Sequence, residues 1–284
     1  MQDAAKPDRD YFPWRVAGGM VVLVLALTVV ALAQSGHQDE DPLTNQVVSG
    51  GAFGRANGDG RQVLVPVDTG LARGMKGFRK AVVASGRVVD LTYAGVRRDV
   101  SDADGRDFGR STGAVFDAGE PLGPDGDVLV ATDGFLEDRQ VLAITPVSSG
   151  ECPQNVREAL ASRSGRAVAW CRTVARVDGG GTLELARFAP KGHDALATLA
   201  YADARGLVFL DYPATTDPGG TWRAEDGGEF PLADYRPLFA FRTATGLELA
   251  VRWAGPEGEA MDLYRQKGDA FVPFVAATWE TAER

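Results

Sequence analysis

At 284 residues the chain is long enough for one large or two small domains with a sizeable core, so folding requires neither metals nor many disulfides. A formal net charge of −9, with no basic patch interleaved with aromatics, argues against nucleic-acid binding. Two histidines exclude a cluster of His metal ligands, and 35 Gly with 15 Pro mark a turn-rich chain that leans toward β structure.

Residues 1–15 hold Lys6, Arg9 and Arg15 and read as a short cytoplasmic stub. Residues 16–33, opened by Val16 and closed by Ala33, carry no charge, and eighteen such residues are about the minimum that crosses a bilayer as a helix. Basic residues precede this run and Asp39, Glu40 and Asp41 follow it, which sets the N-terminus inside and the remainder outside. Tyr11, Phe12, Trp14 and Arg15 then fall at the cytoplasmic headgroup level, where amphipathic rings and a snorkelling guanidinium are favoured. The expected address is a single-pass inner-membrane protein with the lipid bilayer as partner of residues 16–33. Ala31-Leu32-Ala33 has the small-x-small form of a signal-peptidase site, and cleavage there would leave a soluble periplasmic or secreted protein. The length of the apolar run favours an uncleaved anchor.

Residues 34–60 are polar, Gly-rich and aperiodic, which reads as a flexible linker to a β-rich extracytoplasmic domain over 61–284. Within the linker, Asn57-Gly58-Asp59-Gly60 before QVLVPV resembles the turn of FG-GAP-type propeller repeats, a calcium-binding family. Arg55 and Gln62 stand where that resemblance would place acidic ligands, so the segment is read as an ordinary Asn/Gly turn. Residues 63–67 form a short apolar run. After the cap candidates Asp68 and Thr69, Leu71, Met75, Phe78 and Val82 recur at helical spacing, a pattern weakened by Gly74 and Gly77. From Arg87 onward RVVDLTYAGV, DVLVAT and QVLAITPV are strand-like and separated by turn residues. Asp102, Asp104 and Asp107 alternate around Gly105 as in a calcium loop but lack the distal bidentate Glu.

Cys152 and Cys171 are the only cysteines, and outside the cytoplasm such a pair is most simply one disulfide. It would tie a short helix after Pro153, with Val156, Leu160 and Ala161 on its apolar side, to the strand AVAWCRTVARV. Closing a loop of this size stabilises by about 3 kcal/mol. A redox-active dithiol usually has the C-x-x-C spacing, absent here.

A tandem repeat occupies 194–275. Gly206 and Gly246 are 40 apart, Trp222 and Tyr264 are 42, Phe230 and Phe271 are 41, and each copy reads as four short strands. The expected fold is therefore mainly β, antiparallel meanders of four-stranded units arranged as a β-propeller or β-sandwich, after an N-terminal transmembrane helix. GTLELARF at 181–188 echoes GLELAVRW at 246–253.

No residue is singled out as catalytic, cofactor-binding or metal-ligating. G-x-S-x-G, S-x-x-K, H-E-x-x-H, the P-loop and G-x-G-x-x-G are missing, and His193 reads as a solvent-facing loop residue. Trp170, Trp222, Trp253, Tyr212, Tyr235 and Tyr264 read as core or hairpin packing, with an aromatic ligand platform as the rival. The functional expectation is a non-enzymatic, membrane-tethered binding or scaffold protein of the cell envelope with an envelope protein as partner. The alternative is an envelope hydrolase built on an acidic pair.

Overall fold

The computed structural model describes residues 50–84, 86–98, 111–123, 126–216, 222–223, 235–254 and 258–280. The stub, the 16–33 segment and the 102–107 loop lie outside the described residues, among which no helix is long and apolar enough to cross a membrane. What is described is mainly antiparallel β, built as a small closed barrel and a larger sheet within one unit, 42–284.

The barrel comprises β1 (Gly51–Ala56), β2 (Gln62–Pro66), β3 (Lys80–Val83), β4 (Val88–Arg97), β5 (Gly113–Ala118) and β6 (Asp127–Ala131). Its order is β1-β2-β5-β4-β3-β6, closed by β6 pairing back onto β1 from Gly51↔Ala131 to Arg55↔Asp127. Alternate residues point inward, as the period of two requires. Val63, Val65, Phe116, Val128 and Val130 fill the interior with Ala52. Neighbours in the other register, Phe53, Val82, Leu129 and Ala131, face the larger sheet.

β1 corrects the linker expectation: residues from 51 belong to the barrel, with Ala52 and Phe53 at 0% exposure. Three glycines around so few apolar residues concealed a strand whose apolar side chains serve two cores. Asn57 makes the turn into β2, its Oδ1 accepting from the backbone N–H groups of Arg61 and Gln62 at 3.0 Å each.

The expected helix after Asp68 is real but short. Asp68 caps α1 (Thr69–Gly74) by accepting from Gly70 and Leu71 N–H at 2.7 and 3.0 Å. The helix gives way to a 3-10 turn over Met75–Gly77, and Val82 belongs to β3. Gly74 and Gly77 lower the return from further helical turns, and β3 offers a full ladder against β4 and β6. Asp68→Ala removes the cap and is expected to lower the unfolding free energy by about 1 kcal/mol. An unchanged urea midpoint would show that the cap contributes nothing.

The larger sheet holds β7 (Gln140–Glu151), β8 (Val168–Val177), β9 (Gly181–Phe188), β10 (Asp194–Asp203), β11 (Gly206–Thr216), β12 (Trp222–Arg223), β13 (Tyr235–Thr243), β14 (Gly246–Ala254), β15 (Gly258–Lys267) and β16 (Ala270–Glu280). The order is β10-β9-β8-β7-β13-β14-β15-β16-β11-β12, and β10 also pairs with β11. Nine strands thus complete a circuit, with β12 appended to β11. The circuit closes at a single parallel bridge, Phe209↔Ala270. Leu183, Leu185, Leu199, Leu249 and Val251 fill the ring.

The second repeat copy is the expected four-stranded meander, β13 to β16. Of the first copy β10, β11 and β12 are described. Both copies join one sheet, whereas propeller blades would stand apart and sandwich sheets would face each other. Two covers complete the fold. The barrel packs outside β13 to β16 through Phe135, Phe239, Phe241, Met261 and Leu263. Helix α3 (Gln154–Ser164) lays Val156 and Leu160 against Phe188 and Phe209. A short helix, α2 (Asp133–Leu136), links β6 to β7 and carries Phe135.

Candidate functional site

Position along each strand decides which polar groups reach the ring interior. In β14 and β15 the register pairs Leu249 with Tyr264 and Val251 with Asp262, so Asp262 and Tyr264 share the inward face with these core residues. Tyr264 Oη donates to Asp262 Oδ2 at 3.0 Å. Tyr212 and Tyr235 pack beside them, their ring centroids 4.5 Å apart, and Trp253 completes an aromatic group whose indole Nε1 is buried without a hydrogen-bond partner. Burial raises the Asp262 carboxyl from its ordinary 3.8 to about 6, against the opposing hydrogen bond from Tyr264. Burial, with the nearby Asp262 charge, pushes Tyr264 well above its usual range, and burial does the same to Tyr212.

The second place is the end of the ring where hairpin turns meet. The β10–β11 and β13–β14 hairpins turn through Gly206 and Gly246, at φ 132° and 141°, a region that L side chains rarely adopt. With the β15–β16 turn they border a cleft of about 390 Å³ lined by Tyr201, Asp203, Arg205, Thr245, Gln266 and Asp269, among others. Gly181 allows the Tyr201 ring to lie over β9, since a Cβ there would stand 2.2 Å from it. Tyr201 is 1% exposed, and its hydroxyl completes no hydrogen bond of normal geometry. Asp203 and Arg242 are nevertheless close enough to influence its ionisation, which burial above all shifts upward.

Carboxylates in and around these places are largely committed. Burial alone would raise Asp203, but hydrogen bonds from the Arg205 guanidinium and backbone N–H hold it below its ordinary value. Asp269 is exposed and 3.5 Å from the Arg163 guanidinium. Between barrel and ring, Glu259 is bridged by Arg55 and, at 2.6 Å, by Arg252, while Asp127 lies 3.5 and 3.6 Å from the same two arginines. Glu248 is held by Arg139 and Arg265 at 2.7 and 2.9 Å. A glycosidase acid needs a raised pKa opposite an ionised partner. Asp262 is raised, and its hydrogen-bond partner is a tyrosine.

One group of three possible metal ligands occurs among the described residues: Cys152, Cys171 and Glu184, with ligand atoms within 4.8 Å of one another. The two cysteines form a disulfide with Cα atoms 5.4 Å apart, inside the range a bridge spans.

Of the residues singled out from sequence, Gly206 and Gly246 come together at the cleft, Tyr264 lies inside the ring and Phe271 is buried in its core. Trp222 contributes to β12, and Phe230 lies outside the described residues, as do Tyr11, Phe12, Trp14, Arg15, Val16 and Ala33. His193 is exposed in the turn between β9 and β10. Sequence reasoning passed over Tyr201, Glu184 and Asp262. The available signal was an acidic residue flanked by apolar neighbours: Glu184 between Leu183 and Leu185, and Asp262 between Met261 and Leu263. Comparison with protein-family models, curated proteins and solved structures returns no match.

Proposed function

We propose that this chain is a membrane-tethered extracytoplasmic binding protein of the cell envelope that recognises a partner without catalysis. The membrane address rests on the uncharged 16–33 run with Arg15 before it and acidic residues after it. The repeated meander is the display element, because its turns border the cleft. The observation that carries the reading is the state of that cleft: it is polar and open to a partner, yet Asp203 is held ionised by Arg205 and Asp269 lies beside Arg163. Such groups recognise by hydrogen bonding and charge, and Asp203, held below its ordinary value, is no protonated acid for hydrolysis.

The test is site-specific photocrosslinking in intact cells with the full-length protein. A photoreactive side chain at Thr245 is expected to give a discrete adduct with an envelope component. The adduct should be lost on Arg205→Glu and absent with the crosslinker at exposed Asp138. Failure to form it at Thr245, or equal adducts at both positions, counts against the cleft. Hydrolysis of an envelope polymer that disappears in Asp203→Asn or Asp269→Asn would establish the hydrolase instead.

A further inference from the structure

The buried carboxylate beside the disulfide has a geometry that packing alone leaves unexplained. Cys171 in β8 pairs with Ala186 in β9, and Glu184 lies two residues along on the same face, under the cover of α3. Glu184 is 0% exposed. Its Oε2 accepts from Thr173 Oγ1 at 2.8 Å, while its Oε1 is buried with no donor. A carboxylate oxygen out of water and without a donor is unfavourable unless a proton or cation completes it. A Glu184 carboxylate oxygen and the two sulfurs lie within 4.8 Å of one another, and a cleft of about 370 Å³ lined by Gly150, Arg157, Trp170 and Cys171 reaches the bridge at Cys171.

We propose that reduction of the Cys152–Cys171 bridge converts this cluster into a three-ligand site for a divalent cation of the zinc class, held by two thiolates and the Glu184 carboxylate. The bridge masks the site, because bonded sulfurs offer no thiolate. A dithiol reductant supplies two electrons and two protons: the S–S bond breaks, two thiols form, and the reductant closes its own disulfide. The cation then displaces both thiol protons to solvent and leaves three anionic ligands around it. In a tetrahedral zinc site, sulfurs about 2.3 Å from the ion stand about 3.8 Å apart. Side-chain rotation alone reaches that spacing from Cα atoms 5.4 Å apart. The fourth position falls to water or Thr173 Oγ1. The site uses no histidine, and for that reason counting histidines did not reveal it. It is independent of the binding reading, being on the outer face of the ring and sharing no residue with the turn-end cleft.

The experiment uses full-length protein, reduced with a phosphine that is then removed, and titrated anaerobically with cadmium and zinc. One cadmium per chain is expected, with the ultraviolet charge-transfer band of cadmium–thiolate bonds, in the reduced protein only. Glu184→Gln should bind at least about tenfold more weakly, and Cys171→Ser should lose most of the band. Equal affinity of Glu184→Gln, uptake by the oxidised protein, or no uptake by reduced protein that keeps its β-type circular dichroism would each overturn the site. So would loss of that β signal on reduction with no recovery when zinc is added.

Discussion

Cutting Glu248 back to alanine is expected to lower the unfolding free energy by about 3–5 kcal/mol, the cost of breaking a buried ion pair by removing one partner. Glu248 is 1% exposed on the outward face of β14. Arg139 reaches it with Nε at 2.7 Å and Nη2 at 3.2 Å, and Arg265 with Nε at 2.9 Å. Both guanidinium groups are fixed by more than charge: Arg139 lies 4.0 Å over the Phe135 ring and donates to the Phe135 carbonyl, and Arg265 lies 4.1 Å over Phe274. Without the carboxylate, two cations stay packed against the apolar contact between barrel and ring with no anion between them. Arg265 keeps partial access to water and recovers part of its loss, whereas Arg139 has far less, so Arg139 carries most of the penalty. The measurement is urea unfolding of the full-length protein and of Glu248→Ala. A triple change to Glu248→Leu, Arg139→Met and Arg265→Met should recover most of the loss. A single-variant effect below about 1 kcal/mol would place Glu248 among ordinary surface pairs.

The opposite sign is expected for Asp262→Asn, which should stabilise the protein at neutral pH by about 3 kcal/mol. Burial raises the folded-state pKa of Asp262 from 3.8 to about 6. The folded state therefore holds this proton more tightly than the unfolded chain. Below about pH 4 both states are protonated and no penalty exists. As pH rises from about 4 to beyond 6 the folded state is forced to ionise a shielded group, and stability falls by about 1.4 kcal/mol for each pH unit over which only the folded state keeps its proton. Asparagine has no charge to desolvate, and its amide oxygen still accepts from Tyr264 Oη. Urea midpoints between about pH 4 and 8 should fall for the wild type relative to Asp262→Asn and converge at the acid end. A variant less stable than wild type at the alkaline end of that range would mean that the ionised carboxylate has a stabilising partner inside the ring.

The two residues differ in an instructive way. Each sits in a strand flanked by apolar neighbours, Glu248 between Leu247 and Leu249 and Asp262 between Met261 and Leu263. In sequence they look alike. In the fold, Glu248 points outward to two arginines from other strands and connections, and Asp262 points inward to aromatic rings. A strand's period of two says that alternate residues share a face, but it does not say what the face meets.

Strand positions were readable because their apolar runs and turn residues are local. DVLVA, QVLAITPV and GTLELARF fall within β6, β7 and β9, and α3 begins after Pro153 as its spacing suggests. The repeat was readable for the same reason, since Gly206 and Gly246 occupy matching hairpin positions. β1 was missed because GAFGRA has no run of its own and becomes a strand only between β2 and β6.

By itself, then, the sequence determined the turn-rich β character, most strand positions, the repeat and its glycine turns, and the separation of an uncharged N-terminal run from an acidic remainder, all properties carried by neighbouring residues. Only the tertiary structure decided which strands pair across long distances, that the two repeat copies join one ring closed at Phe209 and Ala270, and that Glu184 lies against Cys152 and Cys171. The physical reason is that hydrogen-bond ladders and buried charges are satisfied by partners far along the chain, and local periodicity carries no record of which partner that is.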